Sequence, residues 1–250
     1  MIPEKDLLEL IIFDLETTSE YKTLNDLREA NSRKAELWQT KVNKMFAKNN
    51  DILWSDVHEA YESQTALLPE YGRIVCATFL HIIFDSENKT YKTRIKSFYD
   101  NVGSSTSEKT LILEPVADML EKISKTGKNY KLCGHNIKRF DIPFLGKRLM
   151  MASIPVPPIL QTYGKKPWEL NYVDTGDIWS MGVWDQYITL DLMTCSLDLP
   201  SPKEFMKGEY VGAAFWKERL FETIHLYCEE DCKAVARIVH KLSYSPYPII

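Results

Sequence analysis

Two carboxylates lie at the end of an apolar segment that predicts a buried β-strand. Asp14 and Glu16 follow directly on Leu10-Ile11-Ile12-Phe13. Because side chains alternate between the two faces of a strand, Asp14 and Glu16 point to the same side and lie close enough to repel each other. Charge is costly in such a setting unless a cation accompanies it. The pair therefore predicts a cation-binding position at the end of the first strand.

A third carboxylate falls within the apolar stripe of the last predicted helix, residues 218–242. The apolar positions of this stripe are Ile224, Cys228, Val235, Ile238 and Leu242. Asp231 takes one position of the stripe, and Tyr227 lies four residues earlier on the same helix face. A buried aspartate without a partner is strongly unfavourable. Asp231 therefore also indicates a partner group, and the Tyr227 hydroxyl shares its face.

A fourth carboxylate, Asp141, lies at the start of a helix predicted over residues 140–151. Considered alone, Asp141 is better explained as a helix-start carboxylate that the helix dipole favours. Considered with the others, it is one of four carboxylates on three separate elements, which can converge only around cations. Oxygen ligands select hard ions such as Mg²⁺ or Mn²⁺, and two such ions about 3.5–4 Å apart suit in-line displacement at phosphorus.

The elements that must position these residues alternate between strands and helices. Hydrophobic periodicity predicts an antiparallel hairpin of strands at 73–84 and 91–99, a helix from 107 to 127, and short strands at 130–134 and 172–174. Helical spacing of apolar residues also predicts helices between the first strand and the hairpin. We therefore expect one α/β domain over residues 1–250, with a mixed sheet and a helical insertion at about 23–61.

The acidic segments also resemble a known set of motifs. Asp-x-Glu-Thr occupies residues 14–17, Asn-x3-Phe-Asp occupies 136–141, and Tyr-x3-Asp occupies 227–231. This ordered set resembles the three motifs of the DEDD 3′–5′ exonuclease superfamily, tyrosine subclass. It is similar to the proofreading domains of family B DNA polymerases and to the stand-alone bacterial or phage exonucleases related to them. The histidine subclass would place a histidine at Leu226, so Tyr227 decides the subclass.

The resemblance implies a ribonuclease H-like α/β fold, with a central mixed sheet flanked by helices and the acidic cluster at one end. It also implies two divalent metal ions, Mg²⁺ or Mn²⁺. Asp14, Glu16 and Asp231 would ligate one ion. Asp14 would also bridge to the second ion, and Asp141 would act directly or through a water molecule. Tyr227 would hold the attacking water in line.

Substrate contacts are implied in the same way. The positions that would contact the 3′-terminal nucleotides are Leu15, Thr17, Thr18, Asn136 and Phe140. Phe140 would stack on a base. The implied reaction is hydrolysis at the 3′ end of single-stranded DNA, with release of nucleoside 5′-monophosphates. A separate DNA polymerase would be the partner if the protein proofreads.

Three other functions remain as alternatives. An exoribonuclease would use the same site, because only contacts to the 2′-hydroxyl separate RNA from DNA. A non-catalytic nucleic-acid-binding or polymerase-accessory module would keep the fold without turnover. A structural α/β protein would cap its acids or pair them with lysines.

Composition limits the class of protein and the compartment that we expect for the chain. It has 250 residues, a formal net charge of −4 and 44% hydrophobic residues, which is enough for a sizeable core. No apolar run approaches the ~18–20 residues that span a bilayer, and the N-terminus lacks the order of a signal peptide. Together with five scattered cysteines, these features predict a cytoplasmic protein with reduced thiols. For Cys228 and Cys232, burial in the core is favoured over a zinc site.

Several other side chains allow a structural or a functional interpretation. Seven basic residues between positions 125 and 148 are as compatible with a basic patch as with an ordinary solvated surface. For Asp174 and Asp177, helix capping is favoured over metal ligation. For His135 and His225, packing or capping is favoured over a catalytic role.

Overall fold

A computed structural model describes residues 2–48, 56–183, 185–202 and 206–250. Within these residues the strands are β1 Leu10–Ser19, β2 Gly72–Asp85, β3 Thr90–Tyr99, β4 Lys131–Gly134 and β5 Tyr172–Asp174. The helices are α1 Leu24–Ala30, α2 Ser32–Lys48, α3 Val57–Gln64, α4 Glu114–Lys125, α5 Asp141–Met151, α6 Thr175–Ser180, α7 Leu190–Ser196, α8 Val211–Ala213 and α9 Phe221–Ser243. None of the described helices is long and apolar enough to cross a membrane.

The strands form one mixed sheet in the order β3-β2-β1-β4-β5. β1 pairs antiparallel with β2, and β2 pairs antiparallel with β3. β4 is parallel to both β1 and β5. This mixed sheet, flanked by helices, confirms the predicted ribonuclease H-like α/β fold. Because β1 lies at the centre, its C-terminal end is within reach of elements on both sides.

Alternation along β1 divides its side chains between two apolar cores. Phe13 and Leu15 face α4 and α5, where they join a cluster that includes Phe144 of α5. Ile12 faces the opposite side and shares a cluster with Val235 of α9. Asp14 lies on the α9 side as well, because Cys228 of α9 contacts its carboxylate. The side of the sheet that holds the acidic pair is therefore covered by α9.

The connection between β1 and β2 contains three helices. Trp38 of α2 packs edge-on against Tyr61 of α3, at the centre of a separate apolar cluster. These helices contact the chain just beyond the strand that carries the acidic pair, since the Tyr61 hydroxyl accepts the backbone N–H of Tyr21 at 3.3 Å. Residues 49–55 of the predicted insertion lie outside the described residues. The division into one domain with an insertion stays a prediction.

Two predicted helices begin differently from their expected positions. The helix predicted from residue 107 has a π-helical turn at Lys109–Leu113 before α4. Pro115 lies at the start of α4 and cannot donate a hydrogen bond to the preceding turn. The helix predicted from residue 218 starts at Phe221, because Arg219 has a left-handed backbone with φ of 57°. This conformation ends the preceding π-helical turn and lets α9 start in a new direction.

Candidate active site

The end of β1 places Asp14 and Glu16 in one shared space with Cys228 of α9. One carboxylate oxygen of each acid and the Cys228 Sγ all lie within 4.8 Å of one another. Glu16 is only 7% exposed. Within the described residues, its carboxylate neither accepts a hydrogen bond nor forms an ion pair. Glu16 is thus a buried charge that still requires a positive partner.

Both burial and repulsion between neighbouring carboxylates raise the pKa values of the acids in this space. Burial raises the pKa of Asp14 well above its ordinary value, and the charges of Asp231 and Asp141 raise it further. Burial also raises the pKa of Glu16 well above its ordinary value, and Asp14 and Asp231 add to the effect. The structure therefore brings together the four carboxylates that were predicted to converge. Their role as metal ligands stays a prediction.

Asp141 reaches this space from the start of α5. Its Oδ1 accepts the backbone N–H of Leu15 at 3.0 Å. The side chain is 4% exposed, and burial raises its pKa to about 7 although its backbone hydrogen bonds act in the opposite direction. The charges of Asp174 and Asp231 also raise this pKa. Asp141 is therefore both a helix-start residue and a member of the acidic group.

The donor atoms of this group fit a hard divalent cation. No lysine or arginine of the described residues forms an ion pair with Asp14, Glu16 or Asp141. Carboxylate oxygens are the ligands that Mg²⁺ and Mn²⁺ prefer, and a bound cation would remove the repulsion between them. The fit rests on the buried, uncompensated carboxylate of Glu16 in particular.

Tyr227 lies beside the acidic group and is 4% exposed. Burial raises the pKa of its hydroxyl, and the charge of Asp231 is the next largest cause. A hydrogen bond to Asp231 acts in the same direction. The hydroxyl therefore keeps its proton at neutral pH, so it can orient a water molecule but cannot act as a base.

The residues predicted to contact substrate in β1 lie next to this group. The Leu15 side chain is buried in the core, so only its backbone is near Asp141. Thr17 Oγ1 donates to the carbonyl of Ala66 at 2.7 Å. Thr18 is 1% exposed, and a Cβ added to Gly212 would lie 3.2 Å from its Oγ1. The backbone of α8 therefore approaches β1 closely, and any side chain at Gly212 would crowd Thr18.

The other two predicted substrate contacts lie in the loop before α5. Asn136 is half-buried and has a left-handed backbone with φ of 61°. Phe140 is also half-buried, and its ring centroid lies 5.4 Å from that of Phe144. Both residues precede Asp141 within a few positions, so the loop flanks the acidic group.

Comparison with known proteins gives the family of this chain. A family model described as a predicted 3′–5′ exonuclease related to the exonuclease domain of PolB matches residues 68–235. The chain belongs to this family. The part of this PolB-related chain that is matched includes Asn136, Asp141, Tyr227 and Asp231, whereas β1 lies before it. A comparison with curated proteins gives no significant match.

A solved structure supports the same fold for this PolB-related chain. It is similar to the family B DNA polymerase from the hyperthermophilic archaeon Pyrobaculum calidifontis, with a TM-score of 0.53 and 14% sequence identity. The similarity covers 94% of this chain and 24% of the polymerase chain. The chain thus spans about a quarter of the polymerase, and at this identity the likeness shows the fold alone.

Asp174 holds the loop that carries Asn136 in this PolB-related chain. Its Oδ1 accepts the backbone N–H groups of Asn136 and Gly176, each at 2.9 Å, and its Oδ2 accepts that of Lys138 at 3.1 Å. The predicted capping by Asp174 is confirmed at α6. The contacts to the loop before α5 were missed. They could have been anticipated, because Asp174 ends the strand next to β4, and parallel strands end at the same edge of a sheet.

The two histidines and Asp177 have structural partners. His135 Nδ1 lies 2.9 Å from Thr175 Oγ1, and its Nε2 lies 2.7 Å from a backbone carbonyl. The His225 ring stacks on Tyr99 with 4.5 Å between centroids. Asp177 lies in the first turn of α6 and forms an ion pair with Lys138 at 2.9 Å. These contacts agree with the packing roles that were favoured for both histidines.

The seven basic residues between positions 125 and 148 are divided among separate partners. The pairs are Lys125 with Glu121, Lys128 with the Tyr130 ring, Lys131 with Asp6 and Glu9, Lys138 with Asp177, Arg139 with Asp185, Lys147 with Glu70, and Arg148 with Glu108. Arg148 is buried. The structure therefore favours the interpretation of an ordinary solvated surface over a basic patch.

Cys228 is a site residue that sequence reasoning missed. The predicted burial in the core is confirmed for both cysteines, since Cys228 and Cys232 are each fully buried within apolar clusters. The Cys232 Sγ donates to the carbonyl of Thr78 at 3.5 Å. The Cys228 Sγ instead lies 3.4 Å from Asp14 Oδ2. Its spacing of three residues from Asp231 puts these two side chains near one helix face, but the sequence does not show that Asp14 lies opposite that face.

Proposed function

We propose that this protein is a metal-dependent 3′–5′ exonuclease of the DEDD superfamily, tyrosine subclass. It hydrolyses the phosphodiester bond at the 3′ end of single-stranded DNA and releases nucleoside 5′-monophosphates. The observation that carries the proposal is the meeting of Asp14, Glu16, Asp141 and Asp231 beside the protonated hydroxyl of Tyr227. Membership of the PolB-related family supports the same class of reaction.

Asp14, Glu16 and Asp231 are the ligands of one divalent ion in this proposal. Asp14 and Asp141 would hold a second ion, Asp141 directly or through water. Bound Mg²⁺ or Mn²⁺ supplies neutralisation of the phosphate charge and lowers the pKa of water. These carboxylates would hold the ions at fixed positions, because Asp14 and Glu16 lie on the central strand of the sheet and Asp231 on the long helix packed against it.

Tyr227 positions the attacking water in this proposal. Its hydroxyl keeps its proton, since burial and the neighbouring carboxylates raise its pKa. A protonated phenol donates one hydrogen bond and accepts another, which is enough to hold a water molecule in one orientation. The hydroxyl is itself held by its hydrogen bond to Asp231. The contribution of Tyr227 is therefore alignment of the nucleophile with the scissile bond.

The 3′-terminal nucleotides lie between the end of β1 and the loop before α5. Thr17 and the Leu15 backbone lie on the strand side of this space, Thr18 lies behind them against α8, and Asn136 contacts the substrate from the loop side. Phe140 supports a base by stacking, with Phe144 behind its ring. The protein acts as one exonuclease domain with a helical insertion at about 23–61, and a separate DNA polymerase is its partner if it proofreads.

A nuclease assay with end-blocked oligonucleotides tests the proposed function. With Mn²⁺, we expect stepwise shortening of single-stranded DNA whose 5′ end is blocked, and no shortening when the 3′ end is blocked. Parallel assays on RNA show whether the enzyme prefers DNA or RNA. Digestion of RNA alone would favour the exoribonuclease. No digestion of either polymer by folded protein that binds Mn²⁺ would favour the non-catalytic module.

Replacement of Tyr227 by phenylalanine tests the subclass. We expect kcat to fall by about 100-fold, the lower end of the ~10²–10⁴-fold that a positioned proton-handling group contributes. The affinity for Mn²⁺ should stay within a factor of about two, because the hydroxyl is not one of the proposed ligands. Single-turnover digestion and Mn²⁺ titration measure the two quantities separately.

Tyr99→Phe is the matched control for this change. The Tyr99 hydroxyl also donates to a carboxylate of α9, that of Glu222, at 2.6 Å. It differs from Tyr227 in that none of the four acids of the group is among the causes that raise the pKa of its hydroxyl. Equal loss of rate in both variants would count against a positioning role for Tyr227.

A further inference from the structure

The Cys228 thiol is part of the buried core and also contacts the acidic group. Its Sγ is 3.4 Å from Asp14 Oδ2 and 3.5 Å from the Asp14 carbonyl oxygen. Asp14, Glu16 and Cys228 each offer one donor atom, and these atoms lie within 4.8 Å of one another. A single ion could therefore contact all three after small side-chain rotations.

Glu16 provides a second observation that points to a ligand in this space. It is more than nine-tenths buried, and within the described residues its carboxylate has neither a hydrogen-bond donor nor a basic partner. Burial of such a group is unfavourable until a cation or proton neutralises it. Its oxygen is also one of the atoms that lie close to the Cys228 Sγ.

Two carboxylates and one thiol make a different donor set from carboxylates alone. Mg²⁺ takes oxygen ligands and gains little from sulphur, whereas Zn²⁺ and Cd²⁺ bind thiolate strongly. At any one set of ligands, Zn²⁺ also binds more tightly than Mn²⁺. The same place can thus hold a hard ion through its oxygens or a thiophilic ion through its oxygens and sulphur.

We propose that Asp14, Glu16 and Cys228 form a binding site for a thiophilic divalent ion, with Zn²⁺ as the physiological example. As the metal–sulphur bond forms, the S–H bond breaks and its proton passes to water, without any change of oxidation state. The ion occupies the oxygens that the productive ions need. The inference that this ion inhibits the enzyme rests on the proposed nuclease function, whereas the inference that the ion binds does not.

The other cysteines provide controls within the same chain. Cys232 lies one helical turn from Cys228 on α9, is equally buried, and contacts the Thr78 carbonyl in place of a carboxylate. Cys195 is exposed and would bind added metal adventitiously. A Cys195→Ser background therefore isolates the buried thiols.

Cd²⁺ titration of the metal-free full chain tests the site through the ultraviolet absorption of the cadmium–thiolate bond. We expect a band that saturates at one Cd²⁺ per chain, that Cys228→Ser abolishes and that Cys232→Ser retains. Competition against a chromophoric chelator measures the affinity for Zn²⁺. We expect Cys228→Ser to bind Zn²⁺ at least about tenfold more weakly than its parent, because even changes beyond the direct ligands cause losses of this size. Asp14→Asn keeps the thiol and should weaken the binding of Cd²⁺, as measured from the titration of the band, by a similar factor.

Two outcomes would overturn the site. A cadmium–thiolate band that survives Cys228→Ser would place the ion on another thiol, and a band unaffected by Asp14→Asn would show a thiol acting without the carboxylates. Cys228→Ala serves in the same titration if the serine variant does not fold. Zn²⁺ inhibition of Mn²⁺-dependent digestion should require about tenfold more Zn²⁺ in Cys228→Ser than in its parent. Because the absorption titration needs no turnover, it measures binding of the ion at this site even if the nuclease assay shows no activity.

Discussion

Asp14→Asn is expected to lower the rate of 3′-end digestion by about 1,000-fold or more and, in metal-free protein, to raise the unfolding temperature. Asp14 is proposed to contact both metal ions, so its loss removes stabilisation of charge in the transition state, where single groups contribute ~10²–10³-fold and metal ligands more. The same carboxylate repels Asp231 and Asp141 when no ion is bound. Asparagine keeps the size of the side chain and removes that repulsion. Digestion of a labelled oligonucleotide and thermal unfolding in chelator measure the two effects.

The gain in stability should depend on pH. The pKa values of Asp14 and Glu16 are raised well above their ordinary values in the fold, and that of Asp141 is raised to about 7. Between about pH 4 and pH 7 the folded group therefore holds protons that the unfolded chain has released, so stability falls as the pH rises. Asp14→Asn should raise the unfolding temperature by about 2–4 °C at pH 7.5, equivalent to ~1 kcal/mol, and by less at pH 5.

Asp118→Asn is a suitable control for the stability effect. Asp118 pairs with Lys122 on the exposed face of α4. Exposed pairs of this kind contribute about 0.3–0.5 kcal/mol, so this variant should be slightly destabilised and should not respond to Mn²⁺ differently from wild type. If Asp14→Asn lowered the metal-free unfolding temperature at pH 7.5, mutual repulsion of the carboxylates would be the wrong description of the site.

Arg148→Met is expected to lower the free energy of unfolding by about 3–5 kcal/mol. Arg148 lies on α5, and its Nε donates to Glu108 Oε1 at 3.0 Å while a second nitrogen pairs with Glu108 Oε2. Its third nitrogen donates to the Pro69 carbonyl at 3.1 Å. Glu108 is 5% exposed, so loss of the guanidinium leaves a buried negative charge without its main partner. Urea unfolding monitored by circular dichroism measures the change.

A double variant separates the buried charge from the lost packing. Glu108→Gln combined with Arg148→Met removes the negative charge. The amide oxygen of the introduced side chain can still accept the Ile74 N–H, which Glu108 Oε1 binds at 2.8 Å. We expect this combination to recover at least half of the lost stability. A double variant as unstable as Arg148→Met would show that packing, not charge, is the cause.

Lys122→Met is the matched control for Arg148→Met. It also replaces a basic residue by methionine, but it breaks the exposed pair with Asp118 on α4. The loss in the free energy of unfolding should be no more than about 0.5 kcal/mol. A loss as large as that of Arg148→Met would show that burial of the ion pair is not what makes Arg148 important.

The sequence by itself determined the positions of the strands, the last helix and the residues of the acidic group. Strand alternation puts Asp14 and Glu16 on one side of β1, and helix periodicity puts Tyr227 and Asp231 on one face of α9. These are short-range properties, so they could be predicted without knowledge of distant contacts. The order of the three motifs then indicated a relation to the exonuclease domains of family B DNA polymerases, and the family comparison confirmed that relation.

Only the tertiary structure decided which partners meet across long separations in the chain. Cys228 and Asp14 are 214 residues apart, and the sequence pattern of α9 is the same whether or not the buried Cys228 also contacts a carboxylate of the acidic group. Asp174 reaches Asn136 because β5 lies beside β4, and Arg148 is buried because Glu108 lies next to α5. Pattern fixes the face that a side chain occupies, but the packing of elements fixes what lies opposite that face. For this reason the carboxylates of the acidic group were predictable from sequence, whereas the thiol among them was not.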